Sequence, residues 1–228
     1  MNCFIPCRKK GDEIENLNFL ELEGKKLVEY SIITALKSNL FNEIFIISDD
    51  KVTTKKLTKK YPQIKFIYEK KTKKQFYVML NDLDKKQKFL TKEICVLLPN
   101  YPFKSFKTIR KIYSIFIKNK LSLIASAFKL NKFIYKKNRE LITEINYSKK
   151  IRDKYKISPL FHISGGIFFY KKENSQLNFS KFKTKQLYLL NEHEAFGIYS
   201  LYDFIKASSL FNIDQSIINK LLNYKIKI

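Results

Sequence analysis

A run of basic residues close to the start of the chain has the composition of a phosphate-binding loop. A short, mostly apolar stretch at residues 2–6 leads into three cations and a turn residue: Arg8, Lys9, Lys10 and Gly11. Three carboxylates come next, Asp12, Glu13 and Glu15. Two like charges about 4 Å apart repel by roughly 1 kcal/mol in water and by several times more near a protein surface. A bound polyphosphate would therefore need these carboxylates to be neutralised by the adjacent lysines or by Mg²⁺.

Other side chains with metal-binding or acid–base chemistry are few and scattered. The chain has three cysteines and two histidines, too few and too far apart in the sequence for a zinc site. Asp49 follows an apolar run, where it is either a helix cap or a metal ligand. His193 lies between two glutamates, but adjacent residues of an extended chain point to opposite faces and do not easily share one ion.

Apolar runs alternate with amphipathic stretches along the chain. The apolar runs predict strands at residues 2–6, 43–48, 64–68, 93–99, 121–128 and 162–170. The amphipathic stretches predict helices at residues 24–39, 73–88, 105–118 and 200–210. This alternation is typical of an α/β protein with a doubly wound, mostly parallel, Rossmann-like sheet and helices on both faces.

The carboxyl edge of that sheet is the predicted binding site, because ligands of doubly wound sheets bind beyond the carboxyl ends of the strands. Arg8, Asp49 and the turn at residues 99–104 each follow a predicted strand, so we expect them at one rim. Residues 129–160 are polar and rich in lysine, and they break the alternation. We interpret them as an excursion or small subdomain within a single domain of residues 1–228.

The charge of the chain does not by itself indicate a nucleic-acid partner. Its 228 residues include 45 Lys and Arg against 21 Asp and Glu, a formal net charge of +24. Only Arg8, Arg110, Arg139 and Arg152 are arginines, whereas phosphate and base recognition favours the planar, bidentate guanidinium. No stretch has the length and apolarity of a signal peptide or a membrane span. We therefore expect a cytoplasmic protein that binds no nucleic acid.

The stretch from Ile5 to Leu27 resembles the opening motif of the CMP-sialic acid synthetases, or acylneuraminate cytidylyltransferases. That motif reads approximately IPARGGSKGIPNKNIKLLNGKPLI in the family and in its relatives that activate other nine-carbon acidic sugars and Kdo. The matching residues are Ile5, Pro6, Arg8, Ile14, Asn16, Asn18, Leu22, Gly24, Lys25 and Leu27. Three later segments, VLLPNYPFKS, SGGIFFY and GIYSLYDFIKAS, follow in the family's order, so the resemblance covers almost the whole chain.

This resemblance implies a nucleotide-sugar nucleotidyltransferase fold and the transfer of CMP from CTP to an acidic sugar used in surface polysaccharides. A sugar hydroxyl attacks the α-phosphate in that family, and pyrophosphate is released. The implied cofactor is Mg²⁺, and the implied partners are CTP and the acidic sugar. Family members commonly pair as homodimers, for which residues 129–160 are the candidate segment.

The resemblance also implies roles for individual residues. Arg8 and Asn18 fall on positions associated with catalysis. The nucleotide-binding positions are Pro6, Cys7, Arg8, Lys9, Lys10 and Asn18. By analogy of position, the sugar-binding candidates are Asn100, Lys104 and Arg152. The metal-binding candidates are Asp49 and Asp203.

Several family positions carry different residues in this chain. The lysine that precedes the loop asparagine is Leu17, and the serine of the family's LQPTSPLR turn is Tyr101. The two metal-binding aspartates of the end motif align with Gly197 and Tyr199, so that only Asp203, on the following helix, remains. These changes leave an alternative open, in which the chain is a catalytically inactive family member that acts as a binding or partner subunit.

Overall fold

The computed structural model describes residues 1–9, 14–69, 79–82, 84, 91–130, 135–138, 141–144, 160–172 and 184–212. The strands of the main sheet are β1 (Asn2–Pro6), β4 (Glu43–Ser48), β5 (Ile64–Tyr68), β6 (Glu93–Leu97), β7 (Leu123–Leu130), β10 (Leu160–Lys171) and β11 (Lys185–Leu189). Two short hairpins are formed by β2 (Glu21–Leu22) with β3 (Lys25–Lys26) and by β8 (Tyr135–Asn138) with β9 (Leu141–Glu144). The helices are α1 (Leu27–Ser38), α2 (Lys51–Lys60), α3 (Phe106–Lys118), α4 (Glu192–Ala195) and α5 (Leu201–Asn212).

The main sheet has seven strands in the order β11-β7-β10-β6-β1-β4-β5. Strand β10 runs antiparallel to both of its neighbours. The other neighbouring strands are parallel. The predicted α/β class with a mostly parallel, Rossmann-like sheet is therefore confirmed.

Apolar side chains cover both faces of the sheet, as the continuous apolar runs of buried parallel strands require. Because side chains alternate along a strand, Cys3 and Ile5 of β1 pack on the face covered by α1 and α3, while Phe4 packs on the opposite face. That opposite face is covered by Met79 and Leu80, in a helical turn at residues 79–82. This turn lies inside the predicted helix at 73–88, whose remaining residues lie mostly outside the described part of the chain.

The helix predicted from residue 24 begins three residues later, at Leu27. Residues 21–26 form the β2–β3 hairpin instead, with Glu23 (φ 48°) and Gly24 (φ 74°) at its turn. Two successive residues with positive φ are the requirement of a tight hairpin turn, and glycine meets it without steric cost. The hairpin turn therefore prevails over the helical spacing predicted from residue 24, and the helix begins only after the hairpin.

The excursion predicted at residues 129–160 is only partly described. Strand β7 continues to Leu130, and the β8–β9 hairpin occupies part of the segment. The rest of the segment lies outside the described residues, and its role in a homodimer stays a prediction.

A buried carboxylate, Glu29, joins the start of α1 to the end of α2. Its Oε2 accepts a hydrogen bond from the Lys26 amide at 2.9 Å, and its Oε1 accepts bonds from Lys60 Nζ at 2.5 Å and from the Tyr61 hydroxyl at 2.8 Å. Burial by itself raises the pKa of Glu29. The bonds from Lys60, Lys26 and Tyr61 outweigh burial and lower that pKa from its ordinary 4.5.

We predict that Glu29→Ala lowers the free energy of unfolding by about 2–3 kcal/mol at pH 7, because three donors lose a charged acceptor. The matched change Glu21→Ala removes an exposed ion pair with Lys26 and is expected to cost less than about 1 kcal/mol. Urea unfolding measures both variants. Since the pKa of Glu29 is lowered in the folded state, its contribution is complete above pH 4.5 and is lost as the pH falls through the folded-state value. Equal losses for the two variants at pH 7 would contradict this assignment.

Candidate functional site

A crevice is expected beyond the carboxyl end of β1, where the order of the sheet reverses. The chain passes from β1 to β4 on one side, whereas β6, which comes later in the sequence, lies on the other side. The connections that leave β1 and β6 therefore diverge, and doubly wound sheets bind their ligands at such a point. Two walls border the crevice. One is the loop that follows β1, called here the N-terminal loop, of which the structure describes residues 7–9 and 14–18; the other is the turn at residues 98–104 that follows β6.

The N-terminal loop is held by hydrogen bonds of its backbone. The Cys7 amide donates to Ile47 O at 2.8 Å, and the Asn16 amide donates to Lys9 O at 2.7 Å. The side chain of Asn18 donates from Nδ2 to Arg8 O at 3.1 Å. Asn18 thus fixes the backbone that carries Arg8, and the structure brings together the two residues that the resemblance associates with catalysis.

Arg8 projects along a cleft at the ends of β1, β4 and β5. The cleft is lined by Pro6, Arg8, Ile47, Ser48, Asp49, Glu69 and Met79. Arg8 Nη2 lies 3.9 Å from the sulfur of Met79. Asp49 Oδ1 accepts from the Lys9 amide at 2.8 Å. Arg8 and Asp49, two of the predicted rim residues, therefore lie close together, with the backbone of Lys9 bonded to Asp49.

Asp50, and not Asp49, caps α2, so the interpretation of Asp49 as a helix cap is wrong. Asp50 Oδ1 accepts from the amides of Val52 and Thr53, at 2.9 and 3.1 Å. The pKa of Asp50 is lowered, because these bonds and the hydroxyl of Thr53 outweigh the effect of burial. Asp49 instead holds the backbone of the N-terminal loop, one residue before the cap.

Cys7 does not have the properties of a reactive cysteine. Its side chain is buried, and burial, followed by the charges of Asp49 and Asp50, raises the pKa of its thiol. A thiol with a raised pKa is protonated at neutral pH and is a poor nucleophile. The backbone amide of Cys7 is already used in its bond to Ile47 O, and the contact of Cys7 with a nucleotide stays a prediction.

The second wall is held by the buried ammonium of Lys104. Lys104 Nζ donates to Ser31 Oγ at 3.0 Å, to Leu98 O at 2.8 Å and to Tyr101 O. Three acceptors are the full complement of an ammonium group. The contact with a sugar carboxylate stays a prediction, and it requires the Lys104 ammonium to leave these acceptors.

Burial lowers the pKa of Lys104 to about 7, although Cys3 and Cys95 act to raise it. These two cysteines face each other on the paired strands β1 and β6. Burial, followed by the contact with Cys3, raises the pKa of the Cys95 thiol. The environment of Lys104 is therefore apolar on the side of the sheet and polar on the side of the turn.

The segment from Phe196 to Ser200 packs against the turn and completes the second wall. The amide of Ile198 donates to Asn100 O at 2.8 Å, and Asn100 Nδ2 donates to Ile198 O at 3.4 Å. Asn100 therefore connects the turn to this segment, and its predicted contact with the sugar stays a prediction. Lys10 and Arg152, two further predicted site residues, lie outside the described residues.

The carboxylate of Asp203 is engaged at the start of α5. Its Oδ2 accepts from the Tyr199 amide at 3.1 Å, from the Ser200 amide at 3.0 Å and from Ser200 Oγ at 2.9 Å. Burial acts to raise the pKa of Asp203, but these bonds outweigh it and lower the pKa. The Asp203 amide donates in return to Ser200 Oγ at 3.2 Å, so Ser200 is the N-cap of α5 and Asp203 is its partner in a capping box.

No grouping typical of a metal site occurs in the described part of the chain, where no three His, Cys, Asp or Glu side chains lie close enough to hold one ion. His193 packs against the ring of Phe103, with 4.3 Å between the ring centroids. The neighbouring Glu194 accepts from the Ser105 amide at 3.2 Å and from Thr108 Oγ1 at 2.6 Å, at the start of α3. His193 and Glu194 therefore serve different contacts, but they lie on the short helix α4 and not on the extended chain that the sequence analysis assumed.

Glu69 and Met79 belong to the cleft but were not among the predicted site residues. Glu69 directly follows the strand predicted at residues 64–68, so the rule that placed Arg8 and Asp49 at the rim also places Glu69 there. Met79 carries no such signal, because its position depends on how the helical turn at residues 79–82 packs on the sheet.

Comparison with known proteins gives two kinds of similarity. No family model matches the sequence. The chain is 23% identical over 180 residues to pseudaminic acid cytidylyltransferases of two Campylobacter jejuni serotypes, O:2 and O:23/36, in alignments that cover 73% of this chain and 76% of each relative. Among the described residues, no helix is long and apolar enough to cross a membrane.

Two solved structures share the fold. A CMP:2-keto-3-deoxy-manno-octonic acid synthetase complexed with CTP aligns with a TM-score of 0.69 at 11% identity, covering 92% of this chain and 97% of that chain. A 4-diphosphocytidyl-2C-methyl-D-erythritol synthase from Anaerococcus prevotii aligns with a TM-score of 0.68 at 14% identity, covering 93% and 96%. These similarities confirm the fold class predicted from the sequence.

We predict that stability rises with pH above 7 because of Lys104. Its pKa is about 7 in the folded state and 10.5 as an ordinary side chain. Between these values the unfolded chain binds a proton that the folded chain does not, so the free energy of unfolding increases with pH, by at most about 1.4 kcal/mol per pH unit. Denaturant unfolding of the parent and of Lys104→Met between pH 7 and pH 9 tests this.

Lys104→Met is expected to lose this increase with pH, whatever its stability at pH 7. The matched control is Lys118→Met, at the exposed end of α3, which keeps the pH dependence of the parent. Parallel pH profiles for the parent and Lys104→Met would show that Lys104 keeps its ordinary pKa in the folded protein.

Proposed function

We propose that this chain, which fits a divergent CMP-sugar synthetase-like family, transfers CMP from CTP to an acidic sugar of the nine-carbon, sialic acid-like class or to Kdo. The observation that carries the proposal is its similarity to the pseudaminic acid cytidylyltransferases over 180 residues. The cations and the asparagine of the N-terminal loop support it, because they lie at the edge of the sheet where a nucleotide is expected.

The N-terminal loop supplies the groups suited to the triphosphate. Arg8 presents a planar, permanently charged guanidinium, which suits bidentate contact with phosphate oxygens. Lys9 adds a second cation beside it. Asn18 acts on the phosphates through Arg8, because its bond to Arg8 O holds the backbone at that position. Among the three carboxylates of the loop, Glu15 is exposed to solvent, which weakens its repulsion of a bound anion.

The reaction needs charge stabilisation and positioning more than covalent chemistry from the protein. A bond forms between the sugar hydroxyl oxygen and the α-phosphorus, the bond from that phosphorus to the bridging oxygen of the β-phosphate breaks, and pyrophosphate leaves. The hydroxyl loses its proton in the same step. Arg8 and Lys9 would stabilise the negative charge that develops on the phosphate oxygens.

The sugar, the oligomeric state and the cellular location are proposed from the resemblance alone. Asn100, Lys104 and Arg152 are the proposed sugar-binding residues. We also propose a homodimer formed through residues 129–160, a cytoplasmic location, and a sugar product used for a surface polysaccharide.

Calorimetric titration with CTP, ATP, GTP and UTP tests the proposal before the sugar is known. We expect selective binding of CTP, followed by pyrophosphate release when CTP is combined with sialic acid-like sugars or Kdo. Absence of binding to all four nucleotides at millimolar concentration would contradict the proposal and favour the alternative of an inactive binding or partner subunit.

We predict that Arg8→Gln weakens CTP binding at least about tenfold, because a charge-assisted bond to phosphate is worth about 1.5–3 kcal/mol. The control is Lys118→Gln, which removes one positive charge at the C-terminal end of α3. Ser105 and the turn lie at the other end of that helix. We expect the control to bind CTP as the parent does. Thermal unfolding of both variants shows whether the fold is kept, and equal CTP affinities for the two variants would contradict the role of Arg8.

A further inference from the structure

Two tyrosines, Tyr101 of the turn and Tyr199 of the segment before α5, bond to each other through their hydroxyl groups. Their rings meet edge to face, with 6.1 Å between the centroids and 87° between the planes. Tyr101 is buried, whereas Tyr199 is 49% exposed. Tyr199 stands where the resemblance aligns one of the metal-binding aspartates of the end motif, so this hydroxyl pair lies at the place implied for the metal.

The ring of Tyr101 also excludes the other aspartate of that motif, which aligns with Gly197. A Cβ atom at Gly197 would lie 2.6 Å from Tyr101 Cε1 and 2.8 Å from Tyr199 Cε2. A Cβ atom at Gly166, on the other side, would lie 2.7 Å from Tyr101 Cδ2. Separations this short are steric clashes. The Tyr101 ring therefore fits because positions 166 and 197 carry glycine, which has no Cβ atom. The substitutions at positions 101, 197 and 199 therefore depend on one another.

The chemistry of these residues does not fit a divalent metal. Mg²⁺ is bound in proteins mainly by carboxylate oxygens, phosphates and water. Burial, followed by the hydrogen bond with Tyr199, raises the pKa of Tyr101 above its ordinary value of 10, so its phenol is neutral at pH 7. Asp203 is the remaining carboxylate of the motif, and its Oδ2 already accepts three hydrogen bonds at the start of α5.

We infer that residues 197–203 of this chain do not form a divalent-metal site, and that the Tyr101–Tyr199 hydroxyl pair occupies the space of the ion. A nucleotide bound at the proposed site therefore shares no metal ion with residues 197–203. The second wall of the crevice is then neutral and aromatic, and the cations that face the phosphates lie on the N-terminal loop. The inference concerns the metal alone and does not depend on which nucleotide or sugar is bound.

Titration of the whole chain with Mn²⁺, without nucleotide, tests the inference. Electron paramagnetic resonance measures the free ion and so gives the affinity and number of bound ions. Asp203→Asn keeps a side-chain oxygen for the cap and removes the charge, and we expect its Mn²⁺ affinity to stay within about twofold of the parent. Loss of a stoichiometric Mn²⁺ ion in Asp203→Asn, with an affinity at least about tenfold lower, would overturn the inference.

The triple variant Tyr101→Ser, Gly197→Asp, Tyr199→Asp tests whether the tyrosines take the place of the ion. Removing the Tyr101 ring gives room for the new side chain at position 197, and two carboxylates then face the vacated space. We expect this variant to bind one more Mn²⁺ ion than the parent. A folded triple variant, judged by circular dichroism, that gains no ion would overturn the assignment.

A coupling measurement keeps the assignment testable if the triple variant does not fold. Gly197→Ala is expected to destabilise the parent strongly, and to destabilise the Tyr101→Ser background much less. In that background the clash with Tyr101 is absent, and the half-exposed Tyr199 ring, which has lost its bond to Tyr101, turns toward solvent to make room for the new Cβ atom. Equal losses in the two backgrounds would overturn the claim that the Tyr101 ring excludes a side chain at position 197. CTP calorimetry on the parent is a separate measurement, so a chain without CTP affinity disproves the proposed function and leaves the metal result standing.

Discussion

The burial of a lysine under the turn that follows β6 is the constraint on which the second wall of the crevice depends. Removing an ammonium from water costs free energy unless hydrogen bonds compensate. The acceptors for Lys104 come from α1, through Ser31, and from the turn itself, through Leu98 and Tyr101. Because one buried amino group bonds to both elements, the turn cannot move away from α1 without leaving the hydrogen bonds of that group unmade. Because the turn is fixed, Asn100 and Tyr101 contact residues 196–200.

The two walls of the crevice consequently differ in chemistry. On the first wall, backbone bonds of the N-terminal loop and the side chain of Asn18 hold Arg8 in place, and the cations lie at the ends of β1, β4 and β5. On the second wall, the amino group of Lys104 bonds inside the protein, and the surface is formed by an aromatic pair. A bound anion would therefore be neutralised mainly from one side, which separates this chain from the pattern that its resemblance implies.

Much of the fold was predictable from the sequence because buried parallel strands are continuous apolar runs. Strands β1, β4 and β5 begin and end where the sequence predicted. The prediction was less accurate where a polar contact decides a boundary. Glu23 and Gly24 turn the chain into a hairpin before α1, and Asp50 caps α2 although Asp49 is equally suited by type. Strand β11 was not predicted, because its exposed and half-buried positions leave it without a continuous apolar run.

The sequence by itself determined the class of the sheet and the placing of Arg8 at its carboxyl edge, because each depends on residue types at known positions along the chain. The loss of the end-motif aspartates is what the resemblance implies. Only the tertiary structure decided how Lys104, Tyr101 and Asp203 are used. These side chains bond to groups from three to 98 residues away in sequence. A long polar side chain carries no sign of whether it will face solvent, a ligand or the interior, since that choice is made by the partners that folding brings to it.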